Sequence, residues 1–475
     1  MKRTYTQGVS VVKLYDAIVI GTGQAGPSLG NQLVKQGKSV AIAEGYRFGG
    51  SCVNYGCRPT KTLIASARVA HYARRGADFG VDVGPFTVDW SKVRERVVGI
   101  IESTSHGTES WLRGMDGMDV YHAYARFEGK ADNRYVVRVG DAVIAAPQVF
   151  INTGTRARIP AVDGIERVEW LDSEKLLRLD RLPEHLVILG GSYIGLEMAQ
   201  AFRRLGSQVT IIETAECLIN REDDDIKAEI HRVFTREGIV VHTQSKLQRV
   251  EPAENGRVRL FVHDGNKGKD VAIIGTHWLN AVGRTPNSDN LNLESVGIRT
   301  GAAGYIDVNP YLETTAPGIY ALGDVNGKGA FTHTSYQDYE IVRDNLFYGR
   351  DRKWTDRTMA YALFTDPPLG RVGMSEKEAR ESGRNVLIAT KPMSHIGRAI
   401  EQSETDGLIK LLVDADSGEF LGAAVLGLHG DEVIQAISYF MATGTHYRVM
   451  MEALPVHPTV AEFLPTILSE LHPLQ

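Results

Sequence analysis

The chain writes the same βαβ pattern twice, and that repetition restricts the fold more than any other feature. An apolar run from Leu14 to Ile20 leads into Gly21-Thr22-Gly23-Gln24-Ala25-Gly26. A helical stretch to Gly37 and a strand from Ser39 to Ala43 follow, ending at Glu44. The second copy runs from Leu186 to Leu189, through Gly190-Gly191-Ser192-Tyr193-Ile194-Gly195 and a helix to Leu205. It closes with a strand from Gln208 to Ile212 and Glu213. Glycines in such a loop allow the tight turn and let backbone approach a pyrophosphate at a helix N-terminus. The acid that ends each copy, about 23 residues after the first glycine, accepts hydrogen bonds from an adenosine ribose. One such loop is a weak signal. Two, with their acids in register, predict two dinucleotides on two Rossmann-like domains. Ser192 stands where the first copy has its middle glycine, and it is small enough to keep the close approach. The competing reading of this copy is an ordinary strand-to-helix turn with no ligand.

Two of the three cysteines, Cys52 and Cys57, lie five positions apart behind Gly49-Gly50 and ahead of a helical stretch. A chain so poor in cysteine suits a reducing compartment, where a close pair is chemical rather than structural. The working reading is a redox-active disulfide beside a bound dinucleotide; two buried thiols are the alternative. Zinc is set aside, because a tetrahedral site wants four ligands and the spacing here is wrong. No metal is expected. Cys217 reads as core filler.

The length of 475 residues suggests about three domains. A net charge of −5 without a basic block argues against nucleic acid. Met1 to Val12 carry no apolar core of a secretory signal, and no stretch has the length of a membrane span. The expectation is a cytoplasmic protein. Asn280 to Asn287 reads as a domain joint, and Gly318 to Asp324 as a short strand ending in Gly-Asp. From about Arg352 the glycine loops stop. Strands at Leu408–Val413 and Phe420–Leu428 and a helix at Asp431–Thr443 suggest an α+β domain.

Five ordered motifs, GGSCVNYGCRPTK from Gly49, GGSYIGLE from Gly190, VGRTPN from Val282, IYALGD from Ile319 and VHPTVAE from Val456, carry a family resemblance. The chain resembles the flavin-dependent pyridine-nucleotide disulfide oxidoreductases, such as glutathione reductase, dihydrolipoamide dehydrogenase and mercuric reductase, from about Leu14 to Leu468. The resemblance implies an α/β fold with two Rossmann-like domains and a C-terminal α+β dimerisation domain. Residues 1–155 and 285–352 would bind FAD, 156–284 NAD(P)H, and 353–475 would form the homodimer interface.

By the same resemblance, FAD would lie against Gly21, Gly23, Gly26, Gly50, Ser51, Lys61, Gly154 and Gly323, with Glu44 on its adenosine ribose and Asp324 on its ribityl chain. The nucleotide would contact Gly190, Ile194, Gly195, Glu213 and Gly283, under Tyr193 as an aromatic lid. Cys57 would touch the flavin and Cys52 would attack the acceptor. Cα atoms in a disulfide lie about 4.4–6.8 Å apart, which a regular helix does not offer residues five apart, so Gly56 would loosen the first turn. The helix N-terminus would favour a thiolate. Lys61 would pair with Glu197 beside the flavin and stabilise its reduced form. His457, oriented by Glu462, would move protons at the partner subunit's Cys52. However, Thr459 to Glu462 also spells a capping box, which competes for the same carboxylate.

The acceptor is not legible. The chain ends Leu468 to Gln475 without the second cysteine pair that mercuric reductase uses, and Asn31 and Gln32 stand where glutathione reductases carry arginines. The expected acceptor is dihydrolipoamide-like or another small disulfide. The alternative is a reductase of metal ions or oxidants, like mercuric reductase or the reactive-chlorine-resistance flavoproteins. A non-catalytic redox sensor or complex subunit is a third reading. Glu213 followed by Thr214 favours NADH, with Arg221 the residue that could instead accept NADPH.

Overall fold

The computed structural model describes the backbone of residues 4–7 and 10–474 and the side chains of 12–474. The reading of Met1 to Val12 therefore falls partly on residues 1–3, 8 and 9, outside the described ones, as does Gln475. The chain divides into two compact units: Met1–Thr62, Arg94–Ile159 and Val282–Arg357 form one, and Leu63–Val93, Pro160–Ala281 and Thr358–Gln475 the other.

The first unit is built on a parallel five-stranded sheet in the order Ile319–Ala321, Gln148–Ile151, Ala17–Ile20, Val40–Glu44, Met118–His122. Strands buried on both faces read as unbroken apolar runs, and Ala17, Ile18, Val19, Val40, Ala41 and Ile42 are fully buried. The helix Gly26–Lys35 turns Leu29 and Leu33 onto that sheet. Burying one such side chain contributes about 1.5–3 kcal/mol. A second sheet holds Thr4–Gln7, Ser10–Leu14, Ala142–Ala146, Arg134–Val139 and Ala125–Ala131.

That second sheet corrects one expectation. Leu14 to Ile20 is not one strand: Leu14 ends Ser10–Leu14 in the second sheet, and the parallel strand starts at Ala17. The break falls at Tyr15 and Asp16, whose polar atoms are engaged. Tyr15 donates to Asp119 at 2.6 Å, and Asp16 accepts from the backbone N–H and hydroxyl of Ser39, both at 2.8 Å.

The second unit repeats the parallel arrangement with four strands, Val240–His242, Gln208–Ile212, His185–Leu189 and His277–Asn280. It also contains an antiparallel sheet of Ser245–Pro252, Val258–Asp264 and Lys269–Gly275. Its C-terminal part is an antiparallel six-stranded sheet against which Gly430–Thr443 lays Val433, Ile434 and Ile437. Buried charges here are matched. Arg371 meets Asp223 at 2.9 Å, and Lys410 meets Asp225 at 2.8 Å and Glu376 at 2.6 Å. Pairing and hydrogen bonding make such burial tolerable. No described helix is long and apolar enough to cross a membrane.

Candidate active site

The cysteine pair sits where one helix is interrupted and the next begins. Gly50–Asn54 is a five-residue helix, Tyr55 breaks it at φ −154°, and Cys57 is the first residue of the helix Cys57–Arg74. The sequence reading had Gly56 loosening a first turn; the structure goes further and separates two helices. A Cβ on Gly56 would stand 2.9 Å from the Ser51 carbonyl oxygen and 3.3 Å from the Cys52 Cα, so only glycine lets the two segments close up. Neither cysteine is in a disulfide here. The Cys52 thiol is pushed well above its usual range, first by its hydrogen bond with Cys57 and then by burial. Cys57 is exposed, its Sγ 3.1 Å from the Thr332 hydroxyl. No acid stands in the first turn of its helix, and the amide dipoles at a helix start favour negative charge.

Around this pair the first unit supplies a dinucleotide cradle. Gly21 turns at φ +100°, and a Cβ there would lie 2.3 Å from the Asn152 carbonyl oxygen. A Cβ on Gly26 would lie 2.2 Å from the Gly21 carbonyl oxygen, and one on Gly23 2.7 Å from Asn152 Oδ1. Asn152 Oδ1 accepts from the Gly26 N–H at 3.0 Å. Gly50, at φ +63°, comes close to the Gly23 backbone, with Ser51 next to it. Glu44 accepts from the Thr22 N–H at 3.0 Å and the Thr22 hydroxyl at 2.6 Å, which holds its carboxylate at the loop. Gly154 adopts φ +65° with open space beside it. Gly323 leads into a 3₁₀ turn carrying Asp324, which accepts from the Thr155 hydroxyl at 3.1 Å. Burial raises the Asp324 carboxyl, and Arg284 opposes that shift. A glycine-lined turn, an oriented acid and a second half-buried acid fit the pyrophosphate, ribose and ribityl parts of FAD.

The second unit carries the same device. A Cβ on Gly195 would lie 2.0 Å from the Gly190 carbonyl oxygen, the counterpart of the Gly26–Gly21 approach. Glu213 accepts from the Gly191 N–H at 2.6 Å, as Glu44 does from Thr22. Ser192 is extended at φ −110° and ψ −166°, a conformation open to any residue. Its replacement of glycine therefore costs the loop nothing. Tyr193 and Ile194 begin the helix Tyr193–Leu205. The Tyr193 ring meets Tyr361 edge-on at 5.6 Å, and burial, then Glu222, push its phenol up to about 12. Arg221 lies over the same ring at 5.6 Å. Glu197 is buried and accepts from the Phe364 N–H at 3.0 Å.

His457 and Glu462 are together. Glu462 accepts from His457 Nδ1 at 2.9 Å; the histidine side chain is 80% exposed and the glutamate 15%. Because a carboxylate only accepts, Nδ1 is the nitrogen that carries a proton in this bond. The competing capping box forms by half: Thr459 accepts the Glu462 N–H at 3.1 Å, while the Glu462 carboxylate goes to the histidine. Lys61 is half-buried four residues past Cys57, and Gly283 turns at φ +114°.

Residues 15–338 match the family described as pyridine nucleotide-disulphide oxidoreductase, and residues 359–467 match that family's dimerisation domain. The chain belongs to this family. It is 35% identical to the probable pyridine nucleotide-disulfide oxidoreductase RclA of Escherichia coli K12, over 96% of this chain and 99% of that one. It is 32% identical to a mercuric reductase of Streptomyces lividans, over 95% and 94%. The solved HOCl-induced flavoprotein disulfide reductase RclA of Escherichia coli superposes with a TM-score of 0.86 at 34% identity, covering 96% of this chain and 99% of that one. The same protein has also been solved as a Cu(II) complex. Members of the pyridine nucleotide-disulfide oxidoreductases are FAD- and NAD(P)H-dependent enzymes, and this chain is one of them.

Several contacts of this oxidoreductase were not legible. Thr332 reaches Cys57 from 275 residues away, and no local pattern marks it. Asn152 donates to the Leu322 carbonyl at 2.8 Å while bracing the glycine loop; only its place before Thr153-Gly154 hinted at a role. Tyr361 donates to Glu222 at 2.6 Å behind Tyr193. Cys217 departs from the core-filler reading: it is half-buried and its thiol donates to Asn220 Oδ1 at 3.3 Å.

Proposed function

We propose that this chain is a homodimeric, NADH-preferring reductase that sends two electrons through Cys52 and Cys57 to a small disulfide. The observation that carries the reading is the meeting of two thiols at a helix start, with Thr332 on Cys57. Residues 1–155 and 285–352 hold FAD, 156–284 the nucleotide, and 353–475 the subunit interface. FAD held there would supply the two-electron link between NADH and the cysteine pair.

The rest of the cycle belongs to this chain. Cys52 attacks one sulfur of the acceptor disulfide, forming a mixed disulfide and releasing one thiolate. Cys57 then attacks Cys52 Sγ, which closes the Cys52–Cys57 disulfide and releases the second thiolate. The acceptor gains two electrons and the pair loses two. The partner subunit's His457 takes the Cys52 proton on Nε2 and returns it to the leaving thiolate, with Glu462 holding the ring. Lys61 would offer positive charge at the flavin, and Tyr193, at the start of the helix Tyr193–Leu205, would cover the nicotinamide pocket.

The likeness to RclA, solved with Cu(II), and to a mercuric reductase favours a second reading, in which a metal ion or an oxidant is the acceptor. Against a full mercuric reductase stands the cysteine count: only Cys217 lies outside the pair. Steady-state oxidation of NADH with lipoamide, low-molecular-weight disulfides, Cu(II), Hg(II) and hypochlorite separates these readings. Turnover with a disulfide supports the first; turnover confined to metal ions or oxidants supports the second. Flavin reduction with no turnover on any acceptor returns the sensor reading.

Nucleotide choice follows from Glu213. Its carboxylate, anchored by Gly191 and by the Ala215 N–H at 2.8 Å, meets a ribose hydroxyl in NADH and a phosphate in NADPH. Arg221 is engaged over Tyr193 instead. NADH is expected to exceed NADPH in kcat/KM by about tenfold or more, the equivalent of about 1.4 kcal/mol. Equal efficiencies would assign Arg221 to the phosphate.

A further inference from the structure

Two arginines bracket the cysteine pair in the chain, and both reach the helix Trp90–Arg113. Arg47 meets Glu102 there at 2.9 Å, so its charge is neutralised. The side chain of Arg58, the residue next to Cys57, donates to the hydroxyl of Thr104 at 3.3 Å. Among the described residues Arg58 forms no ion pair, and its side chain is exposed. A guanidinium has five donors in a fixed fork suited to carboxylates. One is spent on Thr104, and the residue is exposed to solvent. The Cys52 thiol registers this charge: its hydrogen bond with Cys57 and burial push it up, while Thr332 and Arg58 pull it down. A charged head that is tethered, uncompensated and felt by the attacking thiol is more than a solvated surface arginine.

We propose that Arg58 recognises the acceptor: its guanidinium binds negative charge on the molecule that Cys52 attacks, which makes small carboxylate-bearing disulfides the preferred substrate class. The proposal rests on the assignment of Cys52 as the attacking thiol. Arg58 serves recognition without joining the electron transfer. Its charge attracts an anionic disulfide to Cys52 and repels a cationic one, and salt screens both effects over roughly 10 Å at 0.1 M.

The test compares wild type, Arg58→Gln and Arg58→Lys as flavin-loaded enzymes. In the first arm the enzyme is reduced and alkylated with anionic iodoacetate or neutral iodoacetamide, and modification of Cys52 is followed by mass spectrometry. The iodoacetate-to-iodoacetamide rate ratio is expected to fall about threefold to tenfold in Arg58→Gln, to recover in Arg58→Lys, and to lose its dependence on Arg58 at high salt. In the second arm NADH-dependent reduction of dianionic dithiobis-nitrobenzoate is compared with that of cationic cystamine, and the ratio of their kcat/KM values should fall similarly. A purely structural arginine would lower both substrates together and show no salt dependence. Ratios in Arg58→Gln within twofold of wild type in both arms overturn the proposal. Charge-selective alkylation that depends on Arg58, in a protein that reduces neither disulfide, supports recognition of anions by Arg58 and overturns the disulfide reading of the function.

Discussion

Cys52→Ser and Cys57→Ser each abolish disulfide reduction, by at least about 10³-fold in kcat, because either change removes a bond-forming sulfur. The two variants differ in colour. Cys57 begins its helix with the amide dipoles behind it and Thr332 at 3.1 Å. Placed against the flavin as a thiolate, as proposed, it is expected to produce a long-wavelength charge-transfer absorbance. In the wild type about one equivalent of NADH brings this band out. In Cys52→Ser no disulfide can form, so Cys57 stands free and the band is present without reductant. Cys57→Ser has no band under any condition. The opposite pattern in the two variants would exchange the roles of the cysteines. The two thiols differ in setting: Cys57 is exposed, and Cys52 is partly buried, its thiol pushed up by the hydrogen bond with Cys57 and by burial.

His457→Ala is expected to lower turnover roughly 10²–10⁴-fold, the usual contribution of a positioned acid–base group. Glu462→Gln should cost less, since an amide can still hold the ring but does not favour the imidazolium. His457 is 80% exposed within its own chain, and the chain carries the family's dimerisation domain at residues 359–467. On the proposed reading, the histidine of one subunit of a two-fold dimer completes the cysteine site of the other. Mixing inactive Cys52→Ser with inactive His457→Ala chains under subunit exchange then restores activity. About half of the dimers are mixed, each with one whole site of two, so recovery approaches roughly a quarter of wild type. Exchange demonstrated by mass with no return of activity would falsify the shared site and confine His457 to its own chain.

What could be read in advance was local. Both glycine loops and their acids lie within short βαβ segments, and the close approaches at Gly26 and Gly195 follow from the spacing alone. The competition for Glu462 could be posed from sequence but not decided. Two uses of one residue, as cap and as partner of His457, had the same signature until the carboxylate was seen on Nδ1. Tyr15 misled because an aromatic residue in an apolar run looks like strand interior. Its hydroxyl instead draws it to Asp119, 104 residues away. Thr332 on Cys57 and Thr155 on Asp324 had no signal at all, because each contact joins segments more than 150 residues apart. The acceptor stayed unread for a related reason: the role proposed for a surface side chain such as Arg58 depends on what lies next to it in space.

The central claim is that NADH electrons arrive at Cys52 and Cys57. Anaerobic thiol counting tests it most directly, with the protein unfolded in alkylating reagent before and after one to two equivalents of NADH, and the labelled cysteines mapped by mass spectrometry. One reactive thiol per chain, Cys217, is expected as isolated in air, and three after NADH, the two new ones being Cys52 and Cys57. A count that NADH leaves unchanged while the flavin is bleached would contradict it, because the electrons would then have stopped short of the cysteines.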